Sequence, residues 1–136
     1  MASSLYDKYD HLTDDEKSYF KTHPRHVNTI MTSRDIAYSE TTKRFGHNGR
    51  NDKSDAFRHC FWSATLSRDI GYKNALEFTN AHESRPLNIA KEKTMDLNNS
   101  VGLRIGISKS DNTKLSKLSK LCNDALNAGK LKVIKK

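Results

Sequence analysis

Residues 53–71 read KSDAFRHCFWSATLSRDIG, and their spacing predicts a helix from Lys53 to Ile70 that stops at Gly71, a residue type favoured just past helix ends. Three rows run along it. Ala56, Cys60, Ser63 and Ser67 form a row of small residues, which lets another helix approach closely. Phe57, Phe61 and Ala64 form an apolar row. Asp55, His59, Trp62 and Leu66 form the third. It passes from polar to apolar, as expected where a helix descends from the floor of a site into a core, so Trp62 is expected to be buried.

Upstream, FGHNGRND at residues 45–52 holds two Gly and two Asn and reads as a loop. A first short helix begins at Thr13, with Glu16 three residues on in a capping-box pattern. Pro24 opens a second helix as its first-turn residue, with Val27, Ile30, Met31, Ala37 and Tyr38 near one face. Downstream, a fourth helix spans about Lys73 to Ser84 and stops near Pro86. A fifth spans about Asn88 to Ile107, with an apolar stripe of Ala90, Thr94, Leu97, Val101 and Ile105 flanked by Asp96 and Asn98. A sixth runs from Asn112 to Ala128, with Leu115, Leu118, Leu121, Cys122, Ala125 and Leu126 on one side and Lys114, Lys117 and Lys120 on another. The tail KLKVIKK alternates weakly and reads as an edge strand or a disordered end. Strand-like alternation is otherwise almost absent. The expectation is an all-α, compact single domain of five or six helices spanning 1–136. Its motif-bearing core lies at about 45–106, and a basic helix and tail follow at 109–136.

At 136 residues the chain can build one core and not two. Its net charge of +8 favours polyanionic partners such as nucleic acid, anionic lipid or an acidic binding protein. The excess is uneven: residues 109–136 hold eight Lys against two Asp. No run of apolar residues is long enough to span a membrane, and MASSLYDKYD carries no apolar core of a signal peptide. Two cysteines, Cys60 and Cys122, build neither a disulfide framework nor a CxxC site.

The chemistry gathers between residues 47 and 99. Asp55 and His59 are four apart and share a helix face, so they suit two roles: joint ligation of a cation, or a carboxylate that orients a general base. A helix-surface ion pair is the bland alternative. Aromatic neighbours Phe57, Phe61 and Trp62 imply partial desolvation of His59. His82-Glu83 is not part of an HExxH protease motif, because Ser84, Arg85 and Pro86 follow. Glu83 fits a general acid/base or a partner that holds a histidine. In MDLNN, Asp96, Asn98 and Asn99 occupy positions where a helix interior gains nothing from them, so they need a tertiary reason. Gly102 and Gly106, four apart, permit close contact with a helix or ligand. His47 fits either the top of a site or the loop alone; His11, His23 and His26 lie outside the cluster.

The order His59, His82-Glu83, Asp96 is similar to the H…HD…D order of all-helical metal phosphohydrolases, except that Glu83 stands where they carry Asp and the gap to Asp96 is short. The combined pattern HNGxxD…DAFRHxxW, AHE and MDLNN resembles a little-characterised all-helical domain of unknown function. That domain occurs in bacterial secreted proteins, including C-terminal toxin modules of polymorphic exported proteins. The likeness covers about residues 45–106 and implies a polar centre of Asp55, Arg58, His59, His82, Glu83, Asp96 and Asn99. It also implies a chain secreted or delivered within a larger exported protein, with an acidic immunity or inhibitor protein as a partner.

The leading expectation is a hydrolase of the toxin or effector type acting on a phosphodiester, in nucleic acid or anionic phospholipid. Catalysis falls to His59, His82, Glu83 and Arg58, with Arg58 stabilising developing negative charge. Asn98, Asn99, Lys114, Lys117 and Lys120 bind substrate. A divalent metal ion, if used, takes Asp55, His59, His82 and Asp96 as ligands. The alternative is a non-enzymatic basic module that binds nucleic acid or anionic membrane, with the His/Asp cluster as a structural polar network. Peptidoglycan hydrolysis ranks below both.

Overall fold

A computed structural model describes residues 12–83, 89–107 and 113–134, with side chains from residue 94 onward in the second of these spans. Six α-helices occupy these residues: α1 (Asp14–Thr22), α2 (Val27–Phe45), α3 (Lys53–Ile70), α4 (Tyr72–His82), α5 (Ile89–Ile107) and α6 (Leu115–Asn127). No strand occurs among them, so the all-α expectation holds. A 3₁₀ turn at Pro24–His26 leads into α2, so Pro24 starts the turn rather than the helix itself. Residues 84–88 and Asn112, where the predicted fourth, fifth and sixth helices end or begin, lie outside the described residues.

The organising element is α3, which packs against α2, α4, α5 and α6. Phe57, Phe61, Ala64, Leu66 and Trp62 are all buried on it. Trp62 is 7% exposed, as predicted, and its indole N–H donates to Ser33 Oγ at 2.9 Å. The buried Thr65 hydroxyl is satisfied within the helix, where Oγ1 donates to Phe61 O at 2.9 Å.

The tightest junction is α3 on α5. A Cβ placed on Gly102 would meet Cys60 O at 2.1 Å, and one on Gly106 would meet Ala64 O at 2.2 Å. The small-residue row of α3 and the glycine pair of α5 thus let two backbones touch. This contact corrects the predicted apolar stripe. The buried side of α5 is Thr94, Met95, Asn98, Asn99, Gly102, Leu103 and Gly106, whereas Leu97 is 41% exposed and Val101 and Ile105 are half-buried. Aliphatic side chains facing α3 would hold the helices apart. Glycines facing it gain backbone contact instead, and the helix is rotated accordingly. Ala90's side chain lies outside the described residues.

The tail is neither a strand nor free through its described part. Asn98 Nδ2 donates to Lys132 O at 2.9 Å, its Oδ1 accepts from Lys132 N at 2.8 Å, and Leu131 is buried. Both cysteines are buried and unbridged.

Candidate functional site

The N-terminal turn of α3 carries the first part of the site. Asp52 caps the helix by accepting from Asp55 N at 3.0 Å. Asn51 takes a positive φ of 66°, which aims its N–H at Asp55 Oδ2 at 2.7 Å. Asp55 Oδ1 accepts from Arg58 Nη2 at 2.7 Å and faces His59 Nε2 at 3.1 Å. Arg58 also reaches back over the loop, donating to Asn48 Oδ1 and Gly49 O, both at 3.1 Å. The HNGRND loop is therefore folded down by the arginine it precedes. Burial pushes the Asp55 carboxyl up, but the His59 hydrogen bond, the Asn51 N–H and the Arg58 charge outweigh it, and the group sits below the usual carboxylate range.

The second part comes from α4 and from α1, which packs against it. His82 Nδ1 lies 3.0 Å from Glu16 Oε2, and Glu16 is almost fully buried. The predicted capping box is formed: Glu16 Oε1 accepts from Thr13 N at 2.8 Å and Thr13 Oγ1 accepts from Glu16 N at 3.0 Å. Thr13 Oγ1 also donates to Ala81 O at 2.9 Å, so the start of α1 is clamped to the end of α4. One carboxylate caps a helix with one oxygen and orients an imidazole with the other. Burial raises this carboxyl, yet the bond and charge of His82, with the Thr13 bonds, bring it below its ordinary range.

The two halves meet at Glu83. Its Oε1 is 3.6 Å from His59 Nδ1 and 3.8 Å from His82 Nε2, and the imidazole centroids are 6.3 Å apart. Glu83 is 6% exposed, and Oε1 accepts no hydrogen bond among the described residues. Asn99 Oδ1 stands 3.3 Å from His59 Nδ1 and accepts from Ser63 Oγ at 3.1 Å. Each imidazole thus has one nitrogen against a buried carboxylate, Asp55 or Glu16, and the other turned toward Glu83. That pattern sets ring orientation.

Beside the two imidazoles is a cavity of about 50 Å³ lined by Arg34, Tyr38, Arg58, His59, Trp62 and His82, with Ala37 completing it. The guanidinium carbons of Arg34 and Arg58 each lie 4.8 Å from the Tyr38 ring centroid. Arg58 is neutralised by Asp55, whereas Arg34 has no carboxylate partner among the described residues. Arg34 and the edge of Trp62, whose ring stands 5.0 Å from His82, were not singled out from sequence for this role.

Among the predicted site residues, Asp55, Arg58, His59, His82, Glu83 and Asn99 come together. Asn98 does not join them as a substrate-binding group, because both its amide atoms are spent on the Lys132 backbone. Asp96 is on the exposed side of α5. The predicted metal set of Asp55, His59, His82 and Asp96 is therefore not assembled. Among the described residues no group of three or more His, Cys, Asp or Glu side chains is placed to hold a metal ion. Lys114, Lys117 and Lys120 are exposed on α6 and do not line the cavity. Lys114 begins at the far end of α3, where Arg68 Nη1 donates to Thr113 O at 2.6 Å. Nine residues of helix, about 14 Å, separate Arg68 from His59. His47 belongs to the loop, with Nε2 3.0 Å from Asp52 Oδ2; that bond raises its pKa. His23 stacks on Tyr19 and His26 on His23, and neither lines the cavity.

Glu16 could not have been found from sequence as a site residue. Its capping box accounts for it locally and leaves nothing to explain. Arg34 had no signal beyond its charge.

No curated protein and no solved structure matches the chain. The profile of a domain of unknown function, DUF6973, matches residues 17–130, which extends the resemblance at both ends beyond residues 45–106 to take in α2, α6 and most of α1. With nearly the whole chain matched, the protein belongs to the DUF6973 domain family.

Proposed function

We propose that this domain is a hydrolase that cleaves a phosphodiester by histidine–carboxylate acid–base chemistry. One observation carries the reading: two imidazoles, each backed by a buried carboxylate, stand on one cavity with two guanidinium groups. A single buried histidine needs one partner. Two histidines 6.3 Å apart suit a proton removed from an attacking hydroxyl and a proton returned to a leaving oxygen. Arg34 and Arg58 suit the negative charge that develops between those events. Glu83, shared by both inward nitrogens, holds whichever imidazole is charged. The net charge of +8 favours a polyanionic substrate. A toxin or effector role would follow from the same activity, with growth arrest on expression in a bacterial cytosol and relief by an acidic inhibitor.

A second reading has an observation of its own. The cluster is well covered, with the His59 side chain only 13% exposed, so it would also serve as a polar lock among α3, α4 and α5 in a non-enzymatic basic module. One experiment separates the two. Purified protein is assayed in parallel on RNA, DNA and anionic phospholipid vesicles, with and without chelator. The expected result is turnover of one of the three that survives chelator. His59→Ala and His82→Ala should each lower it by about 10²–10⁴-fold with the helical circular dichroism retained, while His23→Ala leaves it intact. Inactivity on all three substrates, or active His59→Ala and His82→Ala variants, sinks the hydrolase and favours the lock.

A further inference from the structure

The aliphatic stripe of α5 lies at the edge of the core: Val101 and Ile105 pack against it but stay half-buried, and Leu97 is exposed. Leu97, Val101 and Ile105 recur every four residues along the side of α5 turned away from α3. Val101 and Ile105 form one wall of an open groove of about 620 Å³, and Leu121 and Ala125 of α6 form the other. Leu97, one turn before Val101, is 41% exposed. Solvent-facing aliphatic residues in a row are unusual in a chain this polar, and they mark a surface that something apolar covers.

Charge identifies what covers it. Arg104 and Lys130 rim the groove. The acidic rim residue, Asp124, is neutralised by Lys120 at 2.9 Å. Nucleic acid would use the cations but has no use for an aliphatic wall, and no aromatic ring lines the groove for base stacking. An anionic bilayer uses both: phosphate headgroups meet the rim and acyl chains meet the stripe. Among the described residues no helix is long and apolar enough to cross a membrane, so the contact is interfacial.

We propose that the α5–α6 groove docks this domain on an anionic phospholipid bilayer. The surface is distinct from the histidine cavity and does not rest on the hydrolase reading. The test is flotation with vesicles of phosphatidylcholine alone and of phosphatidylcholine mixed with phosphatidylglycerol. Binding is expected only to the mixed vesicles and falls as salt is raised. Val101→Asp with Ile105→Asp should weaken it by about ten-fold or more. Lys130→Glu should weaken it by roughly five-fold or more. His59→Ala should bind as the parent does, so loss of turnover and loss of docking are read separately. If the double Asp variant loses its helical spectrum, Leu97→Asp, at a more exposed position one turn before Val101, replaces it. The proposal is overturned if mixed vesicles fail to bind at low salt, if binding ignores all three Asp substitutions, or if the groove variants lose RNA or an acidic protein instead of vesicles.

Discussion

The histidine cavity and the α5–α6 groove are opposites. In the first, groups that prefer water are buried: Glu16, Asp55, Arg58 and Glu83 are all nearly covered. In the second, groups that prefer the core border an open groove: Val101 and Ile105 of α5 and Leu121 of α6 are only half-buried. Each region breaks a local rule, and each would gain stability by obeying it. The difference lies in bracing. The cavity is cross-linked by hydrogen bonds from the HNGRND loop, α1, α4 and α5; Glu83 Oε1, and Asn51 Oδ1 in the loop, are left without a donor among the described residues. The groove has almost no polar bracing and depends on how α5 is rotated. A braced polar site is built to hold geometry; an unbraced apolar face is built to be covered.

The largest expected effect tests the junction that serves both regions. Gly102→Val must push α5 off α3, because even a Cβ meets Cys60 O at 2.1 Å. Thermal unfolding should show a loss of about 3 kcal/mol or more, with vesicle binding and activity falling together. A variant as stable as the parent would mean that the helices do not touch here.

Glu16→Gln separates bracing from folding. Gln retains the capping-box geometry, so stability should lose only what the carboxylate's charge adds, but it removes the carboxylate behind His82. Turnover should drop about 10-fold to 100-fold and vesicle binding should be untouched. Glu16→Ala should add a capping loss of about 1 kcal/mol. Equal turnover in Glu16→Gln and the parent would dissolve the link between α1 and the site.

Acid should unbrace the cavity before it affects the groove. Asp55 and Glu16 both have folded pKa values below their ordinary ones. The stability they add is fully present above the unfolded value of about 4 and is lost as pH falls through the lower folded values. Melting temperature should be flat from neutral pH down to about 5 and decline below about 4. Asp55→Asn should decline less steeply there. A parent and variant with parallel acid profiles would show that Asp55 is not held as its contacts imply.

The smallest effect on turnover belongs to the tail. Asn98→Ala removes two hydrogen bonds to Lys132 and should cost about 1–3 kcal/mol. Hydrogen exchange should rise locally at residues 130–134, and turnover should persist. Loss of turnover at full stability would return Asn98 to the site.

What the residues alone determined is local and periodic. The span of α3, its small-residue row, the burial of Trp62, the Thr13–Glu16 capping box and the helix-borne grouping of Asp55, His59, His82, Glu83 and Asn99 follow from spacing and from what helices tolerate. What only the tertiary structure decided is which of two plausible faces each helix buries and where a long-range partner comes from. The α5 stripe looked like a core face because periodicity measures amphipathicity, not orientation. The backbone contact at Gly102 and Gly106 took the centre of the interface and left Val101 and Ile105 half-buried at its edge, with Leu97 exposed. Asn98 and Asn99 are adjacent and chemically identical, yet one ties down the tail and the other faces His59, because successive helix positions point about 100° apart. Glu16 and Arg34 reached the site across 66 and 25 residues from His82 and His59. No local signal carries such a distance, since only packing α1 and α2 onto α4 and α3 brings those charges to the same cavity.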